Sequence, residues 1–237
     1  MITTYYPASE RGHVNFGWLD SHHSFSFGNW HNREKVHFGA LRVLNDDTIK
    51  GGKGFDTHPH ENMEIITIPL KGALAHKDST GAEGIIYTGD VQIMSAGSGI
   101  RHSEYNASHY DPVTLLQIWI FPRLTGIKPR HDQQSFDPAI RNGQWQIVVS
   151  PRPEDEGLKI NQDARLALTR LKAGTSLSYY AVFPGNGIYI FVLEGQLEAD
   201  GKTLQRRDGL GVTGSGEVAI HAVADSEVLA VEVPMFA

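Results

Sequence analysis

Residues 65–74 read IITIPLKGAL, a short run of β-branched and aliphatic side chains that ends at a proline and a glycine. Runs of four to eight β-forming residues with such boundaries are typical of strands. No long stretch carries an apolar stripe with the period of a helix. The sequence therefore predicts an all-β fold, a sandwich or a barrel. Further runs of the same kind lie at residues 115–120, 145–149, 188–193 and 228–233.

A weak internal repeat divides the chain into two similar halves. The runs at 65–70 and 188–193 each lead into a glycine, Gly72 or Gly195, and then into a turn with adjacent Gly and Asp residues. Such a repeat favours two copies of one β-unit. The polar segment 123–134 contains a glycine and a proline, which is typical of a linker. We therefore predict two domains, residues 1–132 and residues 133–237.

The composition excludes several classes of protein. The 237 residues include 21 Lys and Arg against 27 Asp and Glu, a net charge of −6, and they include no cysteine. Disulfides, thiolate zinc sites and cysteine nucleophiles are thereby excluded. No basic cluster of the kind that binds nucleic acid is present, and no apolar run reaches the roughly 18 residues of a membrane helix. The first residues lack the basic and apolar segments of a secretion signal, so we expect a soluble cytoplasmic protein.

Histidines are concentrated in the first half, where 10 of the 12 precede residue 110. On a strand, residues i and i+2 point to the same face. His58 and His60 would therefore lie side by side, as would His102 and Glu104. If the two segments form neighbouring strands, three imidazoles and a carboxylate converge. This set suits divalent Fe, Ni, Co, Mn, Cu or Zn, and the spacing does not choose among them.

Two neighbouring residues refine this metal-site hypothesis. Pro59 cannot donate a hydrogen bond to a sheet ladder, so it predicts an edge strand or the start of one. Glu64 is a second candidate carboxylate, four residues beyond His60. A straight strand would put it about 13 Å away, so it could ligate the same metal only if a turn or bulge brought it back.

These residues stand in two motifs that resemble those of the cupins. The first motif runs from Gly52 through His58, His60 and Glu64 to Gly72, with one residue more than usual before the last glycine. The second runs from Gly89 to Asn106; Ser95 replaces its usual proline, and two extra residues precede His102. Both departures are similar to the pirin branch of the cupins. The resemblance is specific over residues 9–120 and weaker over the rest of the chain. Within the pirin branch, the sequence resembles bacterial pirin-like quercetin 2,3-dioxygenases.

The resemblance implies a bicupin, with two β-barrels of the jelly-roll-like, double-stranded β-helix type. It implies metal in the first barrel only, one divalent transition ion, with Fe(II) favoured over Cu, Ni, Co, Mn or Zn. Glu64 would then have a structural role. An alignment of Gly195 on Gly72 puts Ala181 and Phe183 at the places of His58 and His60, and His221 near that of His102. The implied metal ligands are His58, His60, His102 and Glu104.

The activity implied by the resemblance is a dioxygenase that opens the central ring of a flavonol such as quercetin and releases carbon monoxide. Its partners would be dioxygen and the flavonol, and Glu104 would be the base as well as a ligand. Two alternatives stay open: a metal-binding, redox-sensing regulatory protein that acts through protein partners, and a cupin oxygenase for another enolic or phenolic compound. Candidate walls of an aromatic substrate pocket are Phe25, Phe27, Phe55 and Trp119.

Overall fold

A computed structural model describes residues 1–236, and the part of the chain that it describes is almost entirely β. A single 3₁₀ turn, Ala8–Glu10, interrupts the strands of that part, so the all-β prediction is confirmed. No helix among those residues has the length and apolar character needed to cross a membrane. The strands are β1 Ile2–Tyr6, β2 Gly12–Asn15, β3 Leu19–His23, β4 Leu41–Ile49, β5 Gly54–His60, β6 Glu64–Lys71, β7 Ala73–Asp78, β8 Glu83–Tyr87, β9 Asp90–Ser95, β10 Ile100–Asn106, β11 Val113–Ile120, β12 Arg130–Ser135, β13 Gln146–Val149, β14 Arg165–Leu171, β15 Ser176–Tyr180, β16 Gly187–Glu194, β17 Gln196–Ala199, β18 Lys202–Gln205, β19 Gly209–Thr213, β20 Glu217–Ala222 and β21 Ser226–Val233.

The strands form four antiparallel sheets, two in each half of the chain. The first half combines a seven-stranded sheet, in the order β12-β9-β6-β11-β4-β3-β2, with a four-stranded sheet, β5-β10-β7-β8. The second half combines a six-stranded sheet, β1-β19-β16-β21-β14-β13, with a four-stranded sheet, β15-β20-β17-β18. Each half is thus a large sheet facing a small one, which repeats the duplicated pattern seen in the sequence.

The main core lies between the two large sheets. In β11, Leu116, Ile118 and Ile120 belong to this core, which also contains Phe191 of β16 and Leu229 of β21. Successive residues of a strand point to opposite faces, so the intervening residues of β11 face the other way, into the first barrel. The two barrels therefore pack back to back, and each large sheet separates the shared core from its own barrel interior.

The interiors of the two barrels differ in filling. A continuous cluster of buried apolar side chains, from Tyr179 and Val192 to Val218 and Ile220, occupies the second barrel. The first barrel holds two smaller clusters, one around Leu115 and one smaller still with Met94, Ile65, Ala96 and Ile100. The apolar side chains of the first barrel thus do not form one continuous cluster. Polar side chains have room between these two clusters.

Two strands cross the division that the sequence predicts. Strand β1, at the start of the chain, pairs with β19 in the large sheet of the second half. Strand β12 begins before residue 132 and ends after it, and it pairs along its whole length with β9 of the first half. The boundary between residues 132 and 133 stays a prediction, and the hydrogen-bonded first sheet extends at least to Ser135.

The shared core makes a prediction about stability. Leu116 is fully buried between the two large sheets, so Leu116→Ala removes a packed side chain and leaves a cavity. We expect the free energy of unfolding to fall by about 2–5 kcal/mol. Leu124→Ala is the matched control, because Leu124 is 55% exposed and its loss leaves no cavity. Guanidinium unfolding compares the two variants, and equal midpoints would contradict this account of the core.

Candidate metal centre

The pairing of β5 with β10 brings the predicted ligands together. His58 lies opposite His102, and His60 lies opposite Ile100, on the inner face of the small sheet. A bulge then inserts one extra residue into β5, so that Phe55 lies opposite Glu104 and also faces inward. The two segments are neighbouring strands, which is the condition that the sequence analysis set for these ligands to converge. Strand β5 is the edge strand of its sheet, as Pro59 between the histidines requires.

Three imidazoles meet inside the barrel. The ring centroids of His58, His60 and His102 lie 4.5–4.9 Å from one another, and the nitrogens that could ligate a metal lie within 4.8 Å. His102 is 1% exposed, and neither of its ring nitrogens has a hydrogen-bond partner. A buried imidazole without any partner is costly unless another group binds it. The cluster therefore fits a divalent metal, which would take one of these nitrogens.

The electrostatics keep these rings in the form that ligates metal. Burial, and then the neighbouring His58, lower the pKa of His60 to about 4. Burial and the surrounding histidines lower the pKa of His102 to about 2. Both rings are therefore neutral at pH 7, and a neutral imidazole is the metal-binding species.

Glu104 lies on the same strand as His102 and is held in a fixed orientation. Gln117 Nε2 donates hydrogen bonds to both carboxylate oxygens, at 3.2 and 3.0 Å, and Thr67 Oγ1 donates at 3.4 Å. Gln117 comes from β11 and Thr67 from β6, so the large sheet supports the carboxylate across the barrel. Burial raises the pKa of Glu104. The carboxylate is consequently a stronger base than an exposed glutamate.

The structure adds a histidine that the sequence reasoning missed. His76 of β7 lies opposite Glu104, and its ligand atom groups with those of His102 and Glu104 within 4.8 Å. The four predicted residues and His76 thus form two triads that share His102, and Glu104 is grouped with His76 and not with His58 and His60. His76 Nε2 contacts Asp78 Oδ2 at 3.0 Å, while its buried Nδ1 has no partner. The available signal was the His76-x-Asp78 pair, which has the same i, i+2 spacing as the two pairs recognised.

Glu64 faces away from this cluster. It is buried on the face of β6 that points to the second barrel, beside the shared core. Its carboxylate accepts hydrogen bonds from Ser95 Oγ at 2.8 Å and from the backbone N–H of Asn161 at 3.1 Å. Because Asn161 belongs to the second half of the chain, Glu64 ties the two barrels together, in agreement with a structural role.

A cavity of about 300 Å³ opens beside the metal-ligand cluster. Of the predicted pocket walls, Phe27, Phe55 and Trp119 line it, together with His58, His60 and Glu104. Phe25 does not: it is fully buried in the shared core, 5.6 Å from the ring of Tyr189. In a continuous strand, Phe25 and Phe27 would share a face, but β3 ends at His23 and the chain bends at Ser24 and Phe25, which sends the two rings to different sides.

Two adjacent histidines of β3 are separated in the same way. His23 faces inward and lines the cavity. His22 faces outward, where it stacks on His13 at 4.3 Å beside Asp20. The outer residues His13, Asp20 and His22 form a third group with metal-ligand spacing, well exposed and outside the barrel.

The strand pairing shows which residues of the second barrel correspond to His58 and His60. They lie two residues earlier than the count from the glycines predicts. Tyr179 pairs with Val218 as His58 pairs with His102, and Ala199 pairs with Ile220 as His76 pairs with Glu104. The places of His58 and His60 are therefore taken by Tyr179 and Ala181, not by Ala181 and Phe183. His221 lies beside Ile220 and points the other way, to Ser176 Oγ at 2.9 Å. Counting back from the glycines missed this because the loop between β15 and β16 is longer than the loop between β5 and β6.

Comparisons with known families match both halves of the chain. Residues 7–120 match the family described as Pirin, and residues 147–233 match a family described as the quercetinase C-terminal cupin domain. A protein from Escherichia coli (strain K12) named quercetin 2,3-dioxygenase is 44% identical over 96% of this chain and 96% of its own length. A pirin-like protein from Caulobacter vibrioides is 38% identical over 95% of this chain and 97% of its own.

Solved structures agree with these matches. The crystal structure of YhhW from E. coli superposes with a TM-score of 0.94 at 42% identity and covers 99% of both chains. The structure of bacterial pirin YhhW from E. coli in complex with nickel(II) superposes with a TM-score of 0.93 at 41% identity, covering 99% of this chain and 100% of that one. The bicupin prediction is thereby confirmed, and the chain belongs to the pirin family.

Proposed function

We propose that this protein is a metal-dependent dioxygenase that opens the central ring of a flavonol such as quercetin with dioxygen and releases carbon monoxide. One observation carries the proposal: a single cavity is lined both by three of the four predicted metal ligands, His58, His60 and Glu104, and by four phenylalanine and tryptophan rings, three of which are the predicted walls. An ionisable hydroxyl and a planar aromatic skeleton are the two features that such a lining matches. The names of several relatives in the family agree with this assignment.

We assign the metal to His58, His60, His102 and Glu104, with one divalent transition ion bound. The unpartnered nitrogens of the buried His102 support this assignment, as does the approach of its ring to those of His58 and His60. A bound divalent ion supplies Lewis acidity, which favours ionisation of a hydroxyl next to a carbonyl group. Fe(II) is the favoured ion, and Ni(II) is the ion held by the related E. coli pirin.

Glu104 is proposed as the base for the substrate's 3-hydroxyl. One oxygen of its carboxylate accepts the proton, while Gln117 and Thr67 hold the group in place through their hydrogen bonds. The raised pKa of this buried carboxylate brings it closer to the pKa of a phenolic hydroxyl, which favours proton transfer. The anionic flavonol then reacts with dioxygen.

Aromatic side chains complete the proposed site. The rings of Phe27 and Trp119 meet edge to face at 5.3 Å, and Trp119 packs against His60 at 5.0 Å. Phe55 lies 6.2 Å from His58 on the other side. Such walls pack against a planar ring and exclude water from the ionised hydroxyl.

Removal of two ligands tests the metal assignment. We expect His58→Ala/His60→Ala to lose metal binding and, with it, turnover, because two of three imidazoles are gone. Each protein is reconstituted separately with Fe(II), Cu(II), Ni(II), Co(II) and Mn(II), and metal content, oxygen uptake and carbon monoxide release are measured with quercetin. His31→Ala, at an exposed histidine, is the control and should behave like the wild type. Stoichiometric metal without turnover in the wild type would contradict the enzymatic proposal and favour a regulatory metal protein.

Glu104→Gln tests the proposed base separately from substrate binding. The amide keeps the shape of the side chain but cannot accept the proton, so we expect kcat to fall by about 10²–10⁴-fold with a much smaller change in KM. Metal content is measured in the same samples, and Glu61→Gln, at an exposed glutamate, is the matched control. Unchanged kcat in Glu104→Gln with metal still bound would rule out this role.

A further inference from the structure

One wall of the cavity is polar and takes no part in the metal cluster. Ser21 and His23 of β3 lie opposite Asp47 and Asn45 of β4, respectively, and all four line the cavity. We call these four residues the polar wall. Each of them is at most 5% exposed. Buried polar side chains need hydrogen-bond partners, so each polar atom of this wall is expected to have one.

Three members of the polar wall form one hydrogen-bonded chain. Ser21 Oγ donates to Asp47 Oδ1, and His23 Nε2 lies 2.8 Å from the same Ser21 Oγ. Two buried atoms are left over: His23 Nδ1 and Asn45 Oδ1 have no hydrogen-bond partner among the described residues. They come from residues that lie directly opposite each other on adjacent strands, and both residues line the cavity.

The neighbouring polar residues of the large sheet cannot satisfy these two atoms. Asn45 lies opposite Gln117 on the next strand, and Gln117 lies opposite Thr67 beyond it. Gln117 Nε2 is engaged with the carboxylate of Glu104, and the one proton of Thr67 Oγ1 is shared between Gln117 Oε1 at 3.1 Å and Glu104 Oε1 at 3.4 Å. A single polar row thus crosses the sheet from His23 to the support of Glu104, and Asn45 is not hydrogen-bonded to His23 on one side or to Gln117 on the other.

We propose that His23 Nδ1 and Asn45 Oδ1 bind a hydroxyl group of the substrate, so that the cavity selects phenols that carry a hydroxyl besides the one at the metal cluster. This inference rests on the proposed function, because it places the substrate in the same cavity. Ser21, which is hydrogen-bonded to Asp47, fixes the orientation of the His23 ring through Nε2. His23 and Asn45 are then specificity-determining residues, and the preferred substrates are polyhydroxylated rather than plain enols.

The hydrogen-bonded chain explains why a hydroxyl suits this place. Burial lowers the pKa of His23 to about 4, so its ring is neutral, and burial raises the pKa of Asp47 to about 7. With Asp47 ionised, protons on Ser21 Oγ and His23 Nε2 point towards it, and Nδ1 is an acceptor. With Asp47 protonated, the chain reverses and Nδ1 is a donor. A hydroxyl both donates and accepts. With Asp47 protonated, it accepts from Nδ1–H and donates to Asn45 Oδ1; with Asp47 ionised, its one proton is donated to either Nδ1 or Oδ1.

Two flavonols that differ in their hydroxyl groups test the inference. Quercetin carries hydroxyls on its outer rings, whereas 3-hydroxyflavone carries only the one next to the carbonyl. We measure kcat/KM for both and, under nitrogen, the Kd of both for the metal-loaded protein. The variants are Asn45→Leu, which removes the side-chain amide, and His23→Phe, which removes the two ring nitrogens. Thr48→Val, on the outward face of the same strand β4, is the matched control.

The expected result is a change in preference rather than a general loss. The wild type and Thr48→Val should favour quercetin, and each variant should lower the quercetin to 3-hydroxyflavone ratio about tenfold, the usual effect of one buried hydrogen bond. Values for 3-hydroxyflavone should fall much less than those for quercetin, because 3-hydroxyflavone has no second hydroxyl to lose a partner. Thermal melting confirms that each variant is folded. Should a variant not fold, the preference of the wild type alone decides, and a ratio below about twofold would overturn the inference.

The two measurements separate this inference from the proposed function. If no oxygen is consumed with either flavonol but the difference in Kd is present and depends on Asn45, the hydroxyl subsite stands and the dioxygenase proposal fails. If both flavonols are turned over and the ratio is the same in wild type, Asn45→Leu and Thr48→Val, the dioxygenase stands and the polar wall faces water only. Absence of binding in the wild type overturns both.

Discussion

The pairing of β5 with β10 is the constraint on which the rest of the site depends. Strand alternation alone would turn Phe55 outward if His58 faced inward, because the two residues are three positions apart. The bulge in β5 absorbs one residue, so that Phe55, His58 and His60 face His102 and Glu104 together. Strand β5 is an edge strand and pairs only with β10. The bulge and Pro59 therefore break no hydrogen bond to a second neighbouring strand.

The two barrels divide stability and chemistry between them. The second barrel is filled with apolar side chains at the very positions that carry His58, His60, His102 and Glu104 in the first. Burying polar groups and leaving a cavity both lower stability. The first barrel can contain such groups because its large sheet is also buried against the second barrel, through the shared core and through the contact between Glu64 and Asn161.

Sequence patterns predicted the parts of this molecule that depend on local spacing. The strands, the two i, i+2 pairs and the edge position of Pro59 follow from periodicity and backbone chemistry, and the motif spacings indicated the family. The residues that were missed or misplaced depend on pairing between distant strands. His76 joins the cluster only through the register of β7 with β10, and Asn45 and His23 meet only through that of β3 with β4. Phe25 is aromatic like Phe27, yet the turn after β3 sends it to the opposite side of the sheet.

The position of β1 has a consequence for how the chain reaches its final form. The first strand pairs with β19, so Ile2–Tyr6 meets residues more than 200 positions away in the chain. During synthesis, these first residues are made long before Gly209–Thr213 leave the ribosome, and they have no sheet to join until then. Contacts between such distant residues are slow to form, because a long loop must close first. We therefore expect β1 to join the edge of the second large sheet late in folding, after the strands next to it along the chain have paired.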